Sequence, residues 1–377
     1  MKQKAATYLS TVKDKIISLN NYLYHNPEES YHEYKSSKYL VNILKDSDFE
    51  VEENFCNINT SFKAQTGSSY PKICLLCEYD CLPSKGQILG FNYLTSVSIA
   101  SALALSHVIN SIGGTIIVIG CPGELKAGSK VMMSKMGVFD DIDSVLMLQP
   151  HTHTAMNGSS PAVLPIKITF STSTTSKYTP LDVCIFTLDS INMLLNDYCK
   201  DCSIDKLKID GDLNPSVGPN TIELKLSIKA ESLNSAYSIK KQIEEVCIFI
   251  KKLFCINYEI SLDGVPYDTL LPNKTLNRIV AHNLKESGLI HLDNTKNYDF
   301  GLSLGDVSHI VPCIRPFISL SENIKFGTES FAHTTISENI IELIMKSSKA
   351  LVNTAIDLIE KEELIQESKI ELNKNNS

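Results

Sequence analysis

The sequence shows no long unbroken apolar run of membrane-spanning length, and its start carries no charged, apolar, small-residue leader; the opening residues form a polar amphipathic segment. Neither a membrane span nor a secretory leader is therefore expected, and the chain reads as cytoplasmic. A block of basic residues is missing too: Lys and Arg number 35 against 43 Asp and Glu, a formal net charge of −8. That balance argues against nucleic acid or an anionic membrane surface as partner and leaves small molecules or proteins. Nor is there a disulfide framework. Eleven cysteines are an odd number, and most, such as Cys74, Cys77 and Cys247, lie inside apolar runs, as buried reduced thiols do. Trp is absent, from which nothing follows.

What is present supports a large core. At 377 residues and 43% hydrophobic content, the chain exceeds the length at which single cores usually stop growing, so two domains are expected. Val12, Ile16, Leu19 and Leu23 recur at helical spacing up to His25-Asn-Pro27, which predicts a helix over 11–25 with a proline stop. A second helix is expected over 31–45, strands at 49–51, 61–64 and 73–77, and a helix rich in Ala, Ser and Leu over 94–111. The β-branched run 115–120 predicts a strand running into Cys121-Pro-Gly-Glu124-Leu125, and 144–147 one running into Gln149-Pro150. Between about 163 and 261 the pattern changes to strands at 166–170 and 222–228 bracketing helices at 181–197 and 235–254, a separate α+β domain. A helix over 274–286, a strand over 307–312, a long amphipathic helix over 336–360 and a frayed polar tail beyond 361 complete the expectation.

The most informative stretch is Glu78-Tyr-Asp-Cys-Leu-Pro83 with Gly86-Gln-Ile-Leu-Gly-Phe-Asn92, directly after the apolar run Ile73–Cys77. A buried strand that ends in an acidic, proline-bent loop is where α/β proteins place their chemistry. The stretch resembles the zinc-dependent aminoacylase and carboxypeptidase metallopeptidases, in the amidohydrolase branch that includes aminobenzoyl-glutamate hydrolase and beta-alanyl-lysine dipeptidase. Gly305-Asp-Val-Ser308 and Pro312-x-Ile-x-Pro316 extend the resemblance to nearly the whole chain. It implies a two-domain α/β fold, with a mixed-sheet catalytic-type domain over 1–162 and 266–377 and an inserted α+β lid over 163–265. It also implies two zinc ions, homodimerisation through the lid, and hydrolysis of an amide bond in a dipeptide or N-acyl amino acid.

The residues that would perform that chemistry are replaced. The positions of the family's metal ligands carry Leu89, Phe91, Leu125, Gln149 and Gly327, and that of the lid histidine carries Ser176. Glu124 matches the family's general base, with no metal-bound water to act on. Asp80, Gln87 and Asn92 are the remaining pocket candidates, and no metal or other cofactor is expected. Apolar residues at three ligand positions read as repacking of an emptied site, with Glu124 held by loop amides. His151 and His153 could share one face as relocated ligands, but a zinc site needs more than a pair, and they read as solvated loop residues. Cys199-Lys-Asp-Cys202 has redox or zinc spacing without a second pair, and reads as surface thiols. Gly301-Leu-Ser303-Leu-Gly305 has the nucleophile-elbow pattern, but the strand-like Val307–Val311 follows where a helix is required. Two functions stand: a catalytically inactive relative that binds a small peptide-like or acyl-amino-acid ligand or pairs with an active relative, and an active dipeptidase with a relocated metal. The alternating strand 222–228 is expected to offer the dimer edge.

Overall fold

The computed structural model describes residues 1–82, 84–126, 128–173, 176–198, 202–211, 219–294, 296–298 and 300–375. The chain divides into two compact units: Met1–Ser159, Leu270–Asn297 and Asp306–Ser377 form the first, Ser160–Thr269 and Tyr298–Gly305 the second.

The first unit opens with helices α1 (Lys2–Thr11), α2 (Lys13–His25) and α3 (Tyr34–Lys45). Strands β1 (Glu50–Glu53), β2 (Phe62–Gly67) and β3 (Lys72–Cys77) precede helix α4 (Phe91–Ile112). Then come β4 (Thr115–Gly120), helix α5 (Ser129–Lys135), β5 (Ser144–Leu146), β6 (Gln149–His151) and β7 (Gly158–Ser159). The second unit contributes β8 (Ala162–Ser171), α6 (Pro180–Tyr198), β9 (Ser203–Gly211), β10 (Thr221–Ala230), α7 (Leu233–Phe254) and β11 (Asn257–Leu262). The remainder holds α8 (Lys274–Glu286), β12 (Lys296–Asn297), α9 (Leu304–Ser308), β13 (Cys313–Ile314), β14 (Phe317–Ser319), α10 (Glu329–Thr334), α11 (Ile340–Glu360) and α12 (Glu362–Asn375).

In the first unit the main sheet has the order β1-β2-β4-β3-β5-β13. β1, β2 and β4 pair antiparallel, whereas β4, β3, β5 and β13 run parallel. The central strands are apolar without alternation because both faces are covered, and every residue of β4 is buried. β1 is the edge, and its exposed Glu50, Glu52 and Glu53 blunt it against pairing with another chain. Gly120 ends β4 because the ring of Phe62 lies 2.2 Å from where a Cβ would stand. α4 is long and apolar enough to cross a membrane by length and composition alone, yet it is a core helix, packed against β3, β4, α1, α2 and α11. Its polar residues have a use: Thr95 Oγ1 donates to the Glu78 carbonyl at 2.5 Å and Ser98 Oγ to that of Leu76 at 2.7 Å, which pins the end of β3.

The second unit is an antiparallel sheet of order β11-β8-β10-β9 with α6 and α7 packed on it. Alternation in β8 and β10 sends Leu164, Ile166, Ile168, Phe170, Ile222 and Leu224 into its core.

Several expectations change. β10 lies between β8 and β9, so the strand over 222–228 is interior and offers no free edge. Of the strand expected over 307–312, residues 307 and 308 belong instead to the helix Leu304–Ser308, and the sheet strand is the shorter Cys313–Ile314. The tail beyond 361 is not frayed: α12 buries Ile365, Ser368 and Leu372 at helical spacing. Glu371 accepts from the amides of Lys274 at 2.7 Å and Thr275 at 3.1 Å at the start of α8, where an anion is favoured.

Candidate functional site

Because β3, β4, β5 and β13 are parallel, their carboxyl ends share one edge of the sheet, which is where the chain leaves each strand. β3 is followed there by Glu78-Tyr-Asp80, β4 by Cys121-Pro-Gly-Glu124, β5 by Met147-Leu-Gln149 and β13 by Arg315. α5, two turns long behind the Glu124 loop, adds Lys130. The topology thus gathers residues scattered over more than two hundred positions into one cluster within the first unit.

The cluster is ionic and dry. Arg315 is 1% exposed, Lys130 and Glu78 are 0% exposed. Arg315 forks onto Glu78, with Nη1 to Oε1 and Nη2 to Oε2 both at 2.9 Å. It also donates from Nε to Gln149 Oε1 at 3.1 Å, while Nη2 reaches the same oxygen. Lys130 Nζ donates at 2.8 Å to Glu78 Oε1 and at 2.8 Å to Glu124 Oε2. Burial on its own pushes the Glu78 carboxyl up, but Arg315 and Lys130 outweigh it and hold the group below the usual carboxylate range. Burial likewise disfavours charged Lys130, and Glu124 and Glu78 reverse that, so its ammonium is held more tightly than usual. Two cations and two carboxylates balance, in the bidentate geometry that gives an arginine-carboxylate pair its strength.

Beside this lies a second acidic layer. Asp80, 0% exposed, accepts at Oδ2 from Ser30 Oγ at 2.7 Å and from the Leu125 amide at 2.9 Å, and its Oδ1 has no partner among the described residues. Burial pushes its pKa up to about 7; the hydrogen bonds from Leu125 and Ser30 oppose this, and the charges of Glu33 and Glu124 add to it. Glu33 is also raised by burial, although Thr60 Oγ1 at 2.6 Å and the Gly123 amide at 2.9 Å donate to it. Burial, then Glu124, Glu33 and Asp80, push the Tyr31 phenol up to about 12.

The sequence candidates fall as follows. Phe91 is buried at the first turn of α4; Leu89 and Leu125 are half-buried. Gln149 is buried, with Nε2 donating to the Leu89 carbonyl at 3.2 Å and Oε1 taken by Arg315. At Gly327 a Cβ would meet nothing within 4 Å. Asn92 is no pocket residue: its Nδ2 donates to Asn20 Oδ1 at 3.0 Å and Thr335 Oγ1 at 2.9 Å deep in the core. Gln87 lines a separate cavity of about 220 Å³ with Tyr24, Lys85, Glu329 and His333. Ser176 stands in the second unit before α6 and donates to the Tyr178 carbonyl at 3.0 Å. Glu124 is held by Lys130, where loop amides were expected.

His151 and His153 are adjacent, with ring centroids 4.3 Å apart, but they are not solvated loop residues. Both lie on Phe317, and His151 stacks on Phe326 at 4.5 Å. Burial and the neighbouring His153 lower the pKa of His151 to about 4. Cys202 is disulfide-bonded, so it is not a surface thiol; Cys199 lies outside the described residues, as does Pro83. Ser303 is followed by helix α9 after all, but it is fully buried and no strand ends at it, so the elbow geometry is not met. Sequence reasoning missed Lys130 and Arg315. The signal for Arg315 was its place between two prolines of the Pro312-x-Ile-x-Pro316 motif.

No family model matches the chain. The mouse Xaa-Arg dipeptidase is 24% identical over 391 residues, covering 97% of this chain and 90% of that protein. A component of the p-aminobenzoyl-glutamate hydrolase of Escherichia coli K12 is 24% identical over 294 residues, 71% of this chain and 61% of that protein. Among solved structures, a dinuclear metal binding peptidase of the M20 family from Bacillus subtilis is similar with a TM-score of 0.69 at 13% identity, covering 93% of this chain and 99% of that one. An aminobenzoyl-glutamate utilization protein from Klebsiella pneumoniae gives 0.72 at 13% identity, covering 93% and 97%. The chain therefore has the two-domain α/β metallopeptidase fold and is similar to peptidases and amidohydrolases over nearly its whole length, as the resemblance implies.

A dinuclear metal centre does not fit the residues present. Leu89, Phe91, Leu125 and Gly327 bring no side-chain donor, the amide oxygen of Gln149 is committed to Arg315, and two fixed cations stand among the remaining carboxylates.

Proposed function

We propose that this chain is a non-hydrolytic relative of the metal-dependent peptidases and amidohydrolases, which uses their fold to bind a small peptide-like or N-acyl amino acid ligand without cleaving it. The observation that carries this is the donor set: four of the positions that would ligate metal carry no side-chain donor atom, and the amide of the fifth, Gln149, is held by Arg315. Without a bound cation, water keeps a pKa near its bulk value of about 15.7, against about 7 in the best zinc sites. Glu124, held by Lys130, then has no substrate for base catalysis. The lid position Ser176 offers a hydroxyl that donates to its own loop in place of an imidazole.

A second reading, an active dipeptidase with a relocated metal, draws on the adjacency of His151 and His153 and on the relatives' names. Catalytic zinc sites use three protein ligands, and among the described residues no group of three or more His, Cys, Asp or Glu side chains could hold a metal. The test is turnover of a panel of dipeptides, including Xaa-Arg substrates, and of aminobenzoyl-glutamate, with zinc, manganese or cobalt added. Calorimetric titration with the same compounds reads binding. We expect binding heat without hydrolysis. Turnover abolished by Glu124→Gln or by His151→Ala would establish the dipeptidase instead.

A further inference from the structure

Resting on that non-hydrolytic reading, the geometry points to Lys130 and Arg315 as a built-in cation pair that takes over the bridging role of a metal centre: they hold the carboxyl ends of four strands together and keep divalent metal out. Arg315, at the end of β13, bridges Glu78 after β3 to Gln149 after β5. Lys130, on α5, bridges the same Glu78 to Glu124 after β4. Every loop that the parallel strands deliver to this edge is thus tied to its neighbour through one of the two cations, and Glu78 is the anion common to both.

Three features separate this from an incidental ion pair. The charges balance locally, and neither cation reaches solvent. Gln149 stands where a ligand would, and it supplies what an arginine accommodates, an uncharged oxygen acceptor that takes Nε and Nη2 of the guanidinium. The neighbouring ligand positions have become Leu and Phe, which lower the local dielectric and strengthen the pairs while offering a metal nothing. The chemical class the site accepts is accordingly a planar guanidinium against Glu78 and Gln149, and a primary ammonium between Glu78 and Glu124. Divalent metal is not accepted.

Truncation tests this by leaving the hole and supplying the cation. Arg315→Ala and Lys130→Ala should each lower the melting temperature by on the order of 10 °C, because a buried carboxylate loses its partner. Millimolar guanidinium should then raise the melting temperature of Arg315→Ala in a saturable manner, and propylammonium that of Lys130→Ala, each without effect on the other variant or on wild type at matched ionic strength. Zinc or magnesium should raise neither. Absence of rescue in folded variants, or rescue by divalent metal, would overturn the inference. If the alanine variants do not fold, the cycle of Glu78→Gln, Arg315→Met and their combination decides: the double change should unfold at a higher temperature than either single one, and additive losses would refute the assignment. Stoichiometric zinc with turnover in wild type would sink the non-hydrolytic reading, whereas failed rescue in a metal-free, inactive protein would sink this inference alone.

Discussion

At the scale of the residue, Glu78 is the position with the largest consequence. Glu78→Gln leaves Arg315 and Lys130 buried without their shared anion, and we expect a loss of about 3–5 kcal/mol in urea unfolding. A change within 1 kcal/mol would mean that the cluster carries no net weight. Asp80 makes an opposite prediction for pH. Its carboxyl is raised from 3.8 to about 7 in the fold, facing Glu33, Glu124 and Tyr31 with no cation among its hydrogen-bond partners. Between those values the native state holds a proton that the unfolded chain has released, so unfolding free energy falls as pH rises, by on the order of 4 kcal/mol in total. Asp80→Asn keeps an oxygen for Ser30 and Leu125, and removes this term. Its stability relative to wild type should climb from pH 4 to 7 and then level; taking the difference cancels Glu78, whose depressed pKa acts with the opposite sign. Parallel pH profiles would refute it. That Leu89, Phe91, Leu125 and Gly327 carry no metal-ligating side chain is plain from the sequence, whereas their standing as ligand positions rests on the resemblance. The buried ion cluster was not legible there, because Lys130 and Arg315 reach Glu78 from sequence separations of 52 and 237 residues.

At the scale of the element, local pattern served well where burial is one-sided or complete. The continuous apolar runs of β3 and β4 and the helical spacing in α2 and α8 were read correctly from period alone. Pattern failed where short elements borrow their stability from a distant partner. The segment 307–312 looked like a strand because Val307, Ile310 and Val311 are β-branched, yet Val307 and Ser308 close a helix. α12 looked frayed because charges dominate it, yet its sparse apolar residues dock on α8. Asn273 joins the two: its Oδ1 caps α8 by accepting from the Leu276 amide at 3.0 Å, and its Nδ2 donates to the Ser368 carbonyl of α12 at 2.9 Å. Asn273→Ala should therefore cost about 1–2 kcal/mol. It should also raise amide exchange across 362–375 ahead of the rest of the chain. Uniform exchange throughout the molecule would show that α12 is not held by this contact.

At the scale of the whole molecule, the second unit leaves a surface that a monomer does not explain. α6 and α7 pack side by side on one sheet face, and outward they expose Ile185, Phe186, Met193, Ile248, Phe249 and Leu253. We propose that two copies of the chain pair through these helices, in place of the interior strand β10. Sedimentation at micromolar concentration should give a dimer that Phe249→Asp converts to monomer, and a wild-type monomer would remove the proposal. The proposed exchange of a metal centre for fixed cations is tested most directly by native mass spectrometry of the purified chain after incubation with excess zinc and dialysis. A mass equal to that of the polypeptide is the expected result. A stable adduct of one or two zinc ions per chain would contradict it.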